Sequence, residues 1–461
     1  MNIFQVKKKG WKFWASFWLL AGLFLSGWYL FWQVKNRNWI ALVNLFQPVV
    51  NSLPITEKDK KEILTVFDLT AEIFSVPKEQ TFLLLFQNNL EIRPGGGFLG
   101  SFGILKIKEG KITSVEVHDT NVFDSRINSG IKPPYPLEKM LNISDWELRD
   151  SNWSPDFPTN AEKAEYFYHL EGGTENFDGA VAISTEILTT FLRVLGPVTL
   201  PNYPGEYNSD NAVVKLEYQV EKGYKDQEIE KGKRKYVMKD LAVELVRRAE
   251  QASWEKKHLL LKELEKHLNQ KDIMIYFKNP AWQKQISSLG WDGQVNKTFS
   301  RDYLLMVDAN LGALKSDAHI RRSFEYIVDF SSGQPLATLK IKYEHTARSR
   351  DWMTTHYNNY LRVYTPAGTW LEKAENVGEK DFSEEFGKKI LGFLVYVRIG
   401  ETNEVRLQYR LPKKITEANY ELLIQKQSGV GSIPGRVIFI NSAGQSQEKE
   451  LELKSDQLIK F

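Results

Sequence analysis

The chain contains no cysteine. Disulfide frameworks, thiolate metal sites and cysteine nucleophiles are therefore excluded. It also lacks a dominant charge. Lys plus Arg number 61 against 58 Asp plus Glu, and the net charge of +3 gives no reason to expect nucleic acid as a partner. With 461 residues, 42% of them hydrophobic, the sequence is long enough for a sizeable core and more than one domain.

Charge is absent altogether from Phe13 to Trp32. Twenty residues at the helical rise of about 1.5 Å span roughly the hydrocarbon core of a bilayer. Trp11, Trp14, Trp28, Tyr29 and Trp32 cluster toward the two ends, as interfacial aromatics do. Lys7, Lys8, Lys9 and Lys12 precede the run, against Lys35 and Arg37 after it, so the N-terminus is expected inside. The run exceeds a signal-peptide h-region and no Ala-x-Ala follows it. The expectation is a signal anchor in residues 1–35, single-pass in a cell membrane, with the large C-terminal part extracellular and the bilayer as its first partner.

Residues 36–78 read as a stalk interrupted by Pro48 and Pro54, then a helix capped by Thr56 and ended by Pro77. From Thr81 the pattern turns to strands. Two strand-like apolar runs, Thr81–Phe86 and Phe98–Ile107, flank the loop QNNLEIRPGGGFLG, residues 87–100. Glycine is costly except where backbone turns tightly or approaches something closely. Arg93 beside the amides of Gly95, Gly96 and Gly97 suits an oxyanion such as phosphate. The alternative is a hairpin with a bulge in which Arg93 pairs with Glu91 or a distant carboxylate. A turn at 108–111 leads to the strand 112–117 and then His118-Asp119-Thr120.

Residues 121–158 form a long irregular stretch rich in Asp, Asn, Pro and Trp. Within RDSNWSPDFP, residues 149–158, Asp150 and Asp156 either line a sugar- or lipid-binding cleft or cap turns, with Trp153 plugging the core. Thr159, with Glu162 at the capping-box position, is expected to open a helix that Gly172-Gly173 stops. A strand 177–184, a helix 187–195 closed by Gly196-Pro197, a basic run Lys231–Lys235 opening another helix, a helix 254–268 and a strand 273–277 follow. This alternation predicts an α-β-α sandwich around a mixed sheet over residues 79–317. From 318 to 461, short alternating runs such as Leu339-Lys340-Ile341-Lys342-Tyr343 predict a β-sandwich of roughly eight antiparallel strands.

The strings QNNLEIRPGGGFLGSFG, RDSNWSPDFPTNAEKA, FDGAVAIS, VLGPVTLP and VDANLGALKSD closely resemble an uncharacterised bacterial membrane-anchored family, the domain of unknown function four-zero-one-two. The order of elements also resembles, at a distance, the LytR-CpsA-Psr enzymes, which attach lipid-pyrophosphate-linked glycopolymers to the bacterial wall. On that resemblance Arg93 falls at the family's first arginine, Asp119-Thr120 at its Asp-Thr, and Lys231–Lys235 at its basic helix start. It departs at Pro94-Gly95-Gly96, where a metal-binding aspartate belongs, and at His118, which replaces the second arginine.

The resemblance implies a polyprenyl (pyro)phosphate-linked glycan as ligand and its transfer to a wall acceptor as the activity. Arg93, Arg149, Arg234, Lys235 and the three glycine amides would bind substrate. Asp119 and His118 would be catalytic. Mg²⁺ would be held by Asp119, Asp124, Asp150 or Asp156. A non-catalytic surface protein that binds envelope polymer or protein partners through the β-sandwich is the alternative. The enzyme reading requires Arg93, Asp119 and a basic residue of 231–235 to meet in one cleft.

Overall fold

The computed structural model describes residues 39–312 and 314–461. The expected anchor at Phe13–Trp32 lies outside them. Among the described residues, no helix is long and apolar enough to cross a membrane.

The described chain forms two compact units. The smaller comprises residues 39–80 with the hairpin tip 106–114. Its helices are Trp39–Ser52 and Glu57–Phe74. Thr56 caps the second, its side chain accepting from the Asp59 amide at 3.2 Å. Pro48, expected to interrupt the chain, sits inside the first helix.

The larger unit begins with a five-stranded mixed sheet built from β1 (Gln80–Asn88), β2 (Phe98–Lys108), β3 (Lys111–Asp119), β4 (Gly179–Ser184) and, after the short pair β5 (Val198–Thr199) and β6 (Glu206–Tyr207), β7 (Ile273–Phe277). The order is β3-β2-β1-β4-β7. β4 runs parallel to β1, with Phe82 opposite Gly179, and antiparallel to β7. Apolar side chains on this sheet, including Leu83, Leu85, Phe102 and Ala182, pack with Phe157, Ala164 and Phe167 of the helix Phe157–Leu170. A second apolar cluster joins the helices Thr185–Leu195, Tyr236–Gln251 and Trp254–Asn269 through Leu192, Leu241, Leu245 and Leu260.

The helix Phe157–Leu170 starts three residues earlier than its sequence pattern suggests, and Asp156, not Thr159, is its cap. The Asp156 carboxylate accepts from Thr159 N at 3.4 Å, and Pro158 occupies the first turn, where its missing N–H costs nothing.

The strand-rich C-terminal part is two six-stranded sheets. One is ordered β12-β15-β10-β9-β17-β18 and the other β13-β14-β11-β8-β16-β19. Their strands run from β8 (Asp302–Val307) through β9 (Ile320–Asp329), β10 (Leu336–His345), β11 (Tyr357–Pro366), β12 (Trp370–Glu375), β13 (Lys380–Glu385), β14 (Lys388–Val397), β15 (Thr402–Arg410), β16 (Glu421–Gln425), β17 (Ile433–Ile440) and β18 (Ser446–Leu453) to β19 (Gln457–Lys460). Tyr326, Leu339 and Leu407 of one sheet meet Leu361, Phe393 and Leu422 of the other in one core.

Two details correct the sequence expectation. The sheets are mixed, because β16 pairs parallel with β8 and β17 with β9. The sandwich also begins before residue 318. All six residues of β8 are buried, so their continuous apolar run suits a strand covered on both faces.

Candidate functional site

The loop between β1 and β2 is interior. Residues 91–97 are all buried. The Gly95 amide donates to Asn152 O at 3.0 Å and the Gly96 amide to Arg93 O at 2.9 Å. The carbonyls are also occupied: Gln87 Nε2 donates to Gly95 O at 2.6 Å, Asn152 Nδ2 to Gly97 O at 2.6 Å, and Gln427 Nε2 to Arg93 O at 3.1 Å. Gly96 has φ +128°, and a Cβ there would strike the Gln87 side chain and stand 2.7 Å from Ser428 Oγ. A Cβ at Gly97 would stand 2.6 Å from the Asn88 carbonyl carbon. These glycines are required by close backbone approach. The open anion nest expected of Gly95, Gly96 and Gly97 is replaced by a packed plug.

Arg93 lies in the same plug, 2% exposed. Its Nη2 donates to Glu91 at 2.9 Å, its Nη1 to Asn310 O at 2.6 Å, and its Nε to Asp150 at 3.4 Å. A guanidinium has five N–H donors, and these partners engage three of its nitrogens inside a dry interior. Arg93 is thus held by Glu91 and Asp150, the pairing alternative, and is not set to receive a phosphate.

Asp119, at the end of β3, gathers the basic run. Arg234 Nε donates to Asp119 Oδ2 at 2.8 Å and Lys235 Nζ stands 3.0 Å from Oδ1. Oδ1 also accepts from Asn121 N at 3.0 Å, which caps the short helix Thr120–Asp124. Lys235 makes a further bond to Gly100 O, and Arg234 Nη1 lies 3.5 Å from Glu221. All three principal side chains are almost fully buried. Burial pushes the Asp119 carboxyl up, but Lys235 and Arg234 together outweigh it and hold the group below its ordinary value. Burial lowers Lys235 against the opposing pull of Asp119.

The local sequence explains this arrangement. Residues 231–233 form a single 3₁₀ turn, and the helix proper opens only at Tyr236. Arg234 and Lys235 therefore sit at a turn-to-helix junction, from which both reach one carboxylate.

His118 is not part of this group. Successive strand residues face opposite sides. His118 accordingly stacks on Phe102, centroids 4.9 Å apart, and lies 3.4 Å from Glu116. Burial lowers its pKa against Glu116. The shared proton-transfer role expected of His118 and Asp119 does not fit this geometry.

A second polar group links the two ends. Arg149 donates to Asn121 Oδ1 at 3.4 Å, pairs with Glu147, and lies 3.6 Å from Asp124 and 3.9 Å from Asp150. Asp150 in turn holds Arg93. The chain of contacts thus runs from Arg234 and Lys235 through Asp119, the short helix and Arg149 to Arg93. The predicted residues are connected, but Arg93 and Asp119 stand at opposite ends of the network rather than in one cleft. Asp124, a candidate magnesium ligand by sequence, sits beside Glu171, which sequence reasoning missed. Burial and Glu171 raise the Asp124 carboxyl to about 9. The signal for Glu171 was faint: a glutamate just before Gly172-Gly173.

The residues do not fit a magnesium ion. Asp156 Oδ1 accepts from Val295 N at 2.9 Å and its Oδ2 caps a helix. Asp150 and Asp119 are each held by two basic side chains. Among the described residues, no group of three or more His, Cys, Asp or Glu is arranged to hold a metal ion. Trp153 serves packing, stacked 6.1 Å from Tyr360 with Arg362 over its ring.

No curated protein matches the chain. Among solved structures, the chain is similar to the Lin1025 protein from Listeria innocua, at 13% identity and TM-score 0.26, over 50% of this chain and 86% of that one. Residues 78–220, which hold β1 to β4, the glycine loop, Asp119 and the RDSNWSPDFP segment, match the family model described as protein of unknown function (DUF4012).

Proposed function

We propose that the protein is a membrane-anchored cell-envelope protein that binds the phosphate of a polyprenyl (pyro)phosphate-linked glycan at Asp119, Arg234 and Lys235. The observation that carries this reading is two buried cations drawn to a single carboxylate at the end of a sheet strand. Asp119 offsets one of the two cations, and exposed Glu221, 3.5 Å from Arg234 Nη1, shares the other. A phosphate would take the place of Glu221 on the guanidinium, whose fork suits it. Phe13–Trp32 would supply the anchor and place the larger unit outside the cytoplasm. The LytR-CpsA-Psr resemblance contributes the ligand class.

Binding is better supported than transfer. A carboxylate held below its usual range by two cations is a poor acceptor for a proton, so Asp119 orients Arg234 and Lys235 rather than serving as a base. Magnesium has no ligand set here, and no step is routed through it. The test is a titration of the full chain in detergent with a short-chain polyprenyl phosphate, followed by ³¹P NMR. Saturable broadening lost in Arg234→Gln supports the site; equal broadening in both proteins sinks it.

The non-catalytic alternative has one observation of its own. An open depression of about 570 Å³ on the sandwich is lined by Phe324, Pro434, Gly435, Arg436, Glu450 and Glu452. Retention of envelope polymer by Arg234→Gln, with loss on Arg436→Ala, would favour that surface.

A further inference from the structure

Large apolar side chains cluster in one stretch of the larger unit. The helices Tyr236–Gln251 and Trp254–Asn269 leave Tyr236, Val243, Val246, Trp254, Leu259 and Leu261 exposed. Trp254 is 79% exposed and Leu261 64%. Scattered surface leucines need no explanation, but six such side chains within 26 residues do.

Their spacing makes two stripes. On the first helix, Val237, Leu241 and Leu245 face the core. Tyr236, Val243 and Val246, spaced by seven and three, fall on the opposite side together with Lys239. On the second helix, Leu260 and His267 are buried, while Trp254 and Leu261, seven apart, share an outward face with His258.

Charge selects the occupant. Residues 231–271 carry twelve Lys and Arg against six Asp and Glu, a local net charge of +6 in a chain whose total is +3. The rest of the molecule is therefore net acidic. Glu250 and Glu265 lie on these outward faces, yet Lys239 and Arg247 beside Val243 and Val246, and Lys257 and Lys262 on either side of Trp254 and Leu261, set the sign. A helix with outward Trp and Leu between lysines is the pattern of an interfacial, bilayer-lying helix.

We infer that the helices Tyr236–Asn269 form a second membrane contact, seating Val243, Val246, Trp254 and Leu261 at the headgroup level of an anionic bilayer. The inference rests on the membrane-anchored reading only for the nearness of that bilayer. Its consequence is geometric. Arg234 and Lys235 lie at the start of the same helical segment, so the contact brings the proposed phosphate site to headgroup depth.

The cysteine-free chain makes the test clean. Single-cysteine variants Val246→Cys and Leu261→Cys, with Gln447→Cys on exposed β18 as control, are nitroxide-labelled in the full chain. Each is reconstituted into vesicles of phosphatidylcholine alone or mixed with phosphatidylglycerol. Oxygen and nickel-chelate accessibilities are then measured by electron paramagnetic resonance.

Seating at the interface raises the oxygen-to-nickel ratio at 246 and 261 in anionic vesicles only and leaves 447 unchanged; each lysine that engages the surface favours the seated state by about fivefold. High salt reverses the effect, and Lys257→Glu with Lys262→Glu weakens it. Unchanged ratios at 246 and 261 in anionic vesicles overturn the inference. So does burial of the labels that tracks protein concentration in detergent, which would assign the patch to a second copy. Alkaline carbonate extraction reads the anchor separately: a chain that is extracted yet shows the anionic-specific ratio refutes the anchor and keeps this contact.

Discussion

Asp119→Asn removes the buried carboxylate that both Arg234 and Lys235 contact while keeping the side chain's size and its capping ability, since asparagine caps as well as aspartate. The three side chains are each less than a tenth exposed, so the pair belongs to the buried class. Removing one partner of such a pair leaves charge uncompensated in a low-dielectric interior and costs about 3–5 kcal/mol, against about 0–1 kcal/mol for an exposed pair. With a urea m-value on the order of 3 kcal/mol/M, the midpoint falls by about 1 M or more.

The pH dependence has a definite sign. Burial already lowers Lys235, and loss of Asp119 lowers it further. A lysine depressed in the folded state binds fewer protons there than in the unfolded chain, so stability rises with pH toward the free lysine value. The deficit of the variant therefore shrinks from neutral to alkaline pH. Inorganic phosphate restores part of it by mass action, about 2.7 kcal/mol at a hundred times its dissociation constant. Urea titrations monitored by tryptophan fluorescence, with and without phosphate, measure all three effects. A loss below 1 kcal/mol with no phosphate response refutes the argument that these charges are mutually dependent.

Other outcomes follow from single positions. Gly96→Ala combines a strained φ of +128° with collisions against Gln87 and Ser428, and is expected to lower the urea midpoint more than alanine at exposed Gly232, where a Cβ meets nothing. Asp124, raised to about 9 by burial and Glu171, keeps in the folded state a proton that the unfolded chain releases above about pH 4. Stability in the wild type thus falls as pH climbs through the window from about 4 to 9, and Asp124→Asn flattens that slope in a series of melts across pH. Trp153→Ala deletes the ring stacked on Tyr360 and under Arg362 and costs about 3–5 kcal/mol, read by urea midpoint.

Local features were legible in the sequence to different depths. The glycine loop announced itself because backbone constraints are written in residue type, and Gly96 does adopt a φ that favours glycine. Its purpose was not legible. Arg93 is enclosed by Asn310 and Gln427, more than 200 residues away, and no local pattern reports which distant carbonyl will fill a guanidinium's donors.

The pairing of Asp119 with Arg234 and Lys235 followed from the order of motifs, since periodicity alone does not join residues 115 apart. His118 was drawn into the group by adjacency in sequence, which a strand's alternation undoes. β8 was missed as part of the sandwich because a continuous apolar run reads the same in a parallel sheet of one layer as in the centre of another. Asp156 shows the converse case. As an aspartate beside Pro155 and Pro158 it fitted a turn cap as well as a metal ligand, and the amides of Thr159 and Val295 decide for capping.

The most direct measurement is of the lipid itself. The full chain and Arg234→Gln, purified in parallel from membranes in mild detergent, are extracted and their bound lipids analysed by mass spectrometry. The account predicts a polyprenyl phosphate or pyrophosphate, with or without its glycan, enriched with the native chain and depleted from the folded variant. Equal recovery from both proteins, or no phosphorylated polyprenol from either, contradicts it.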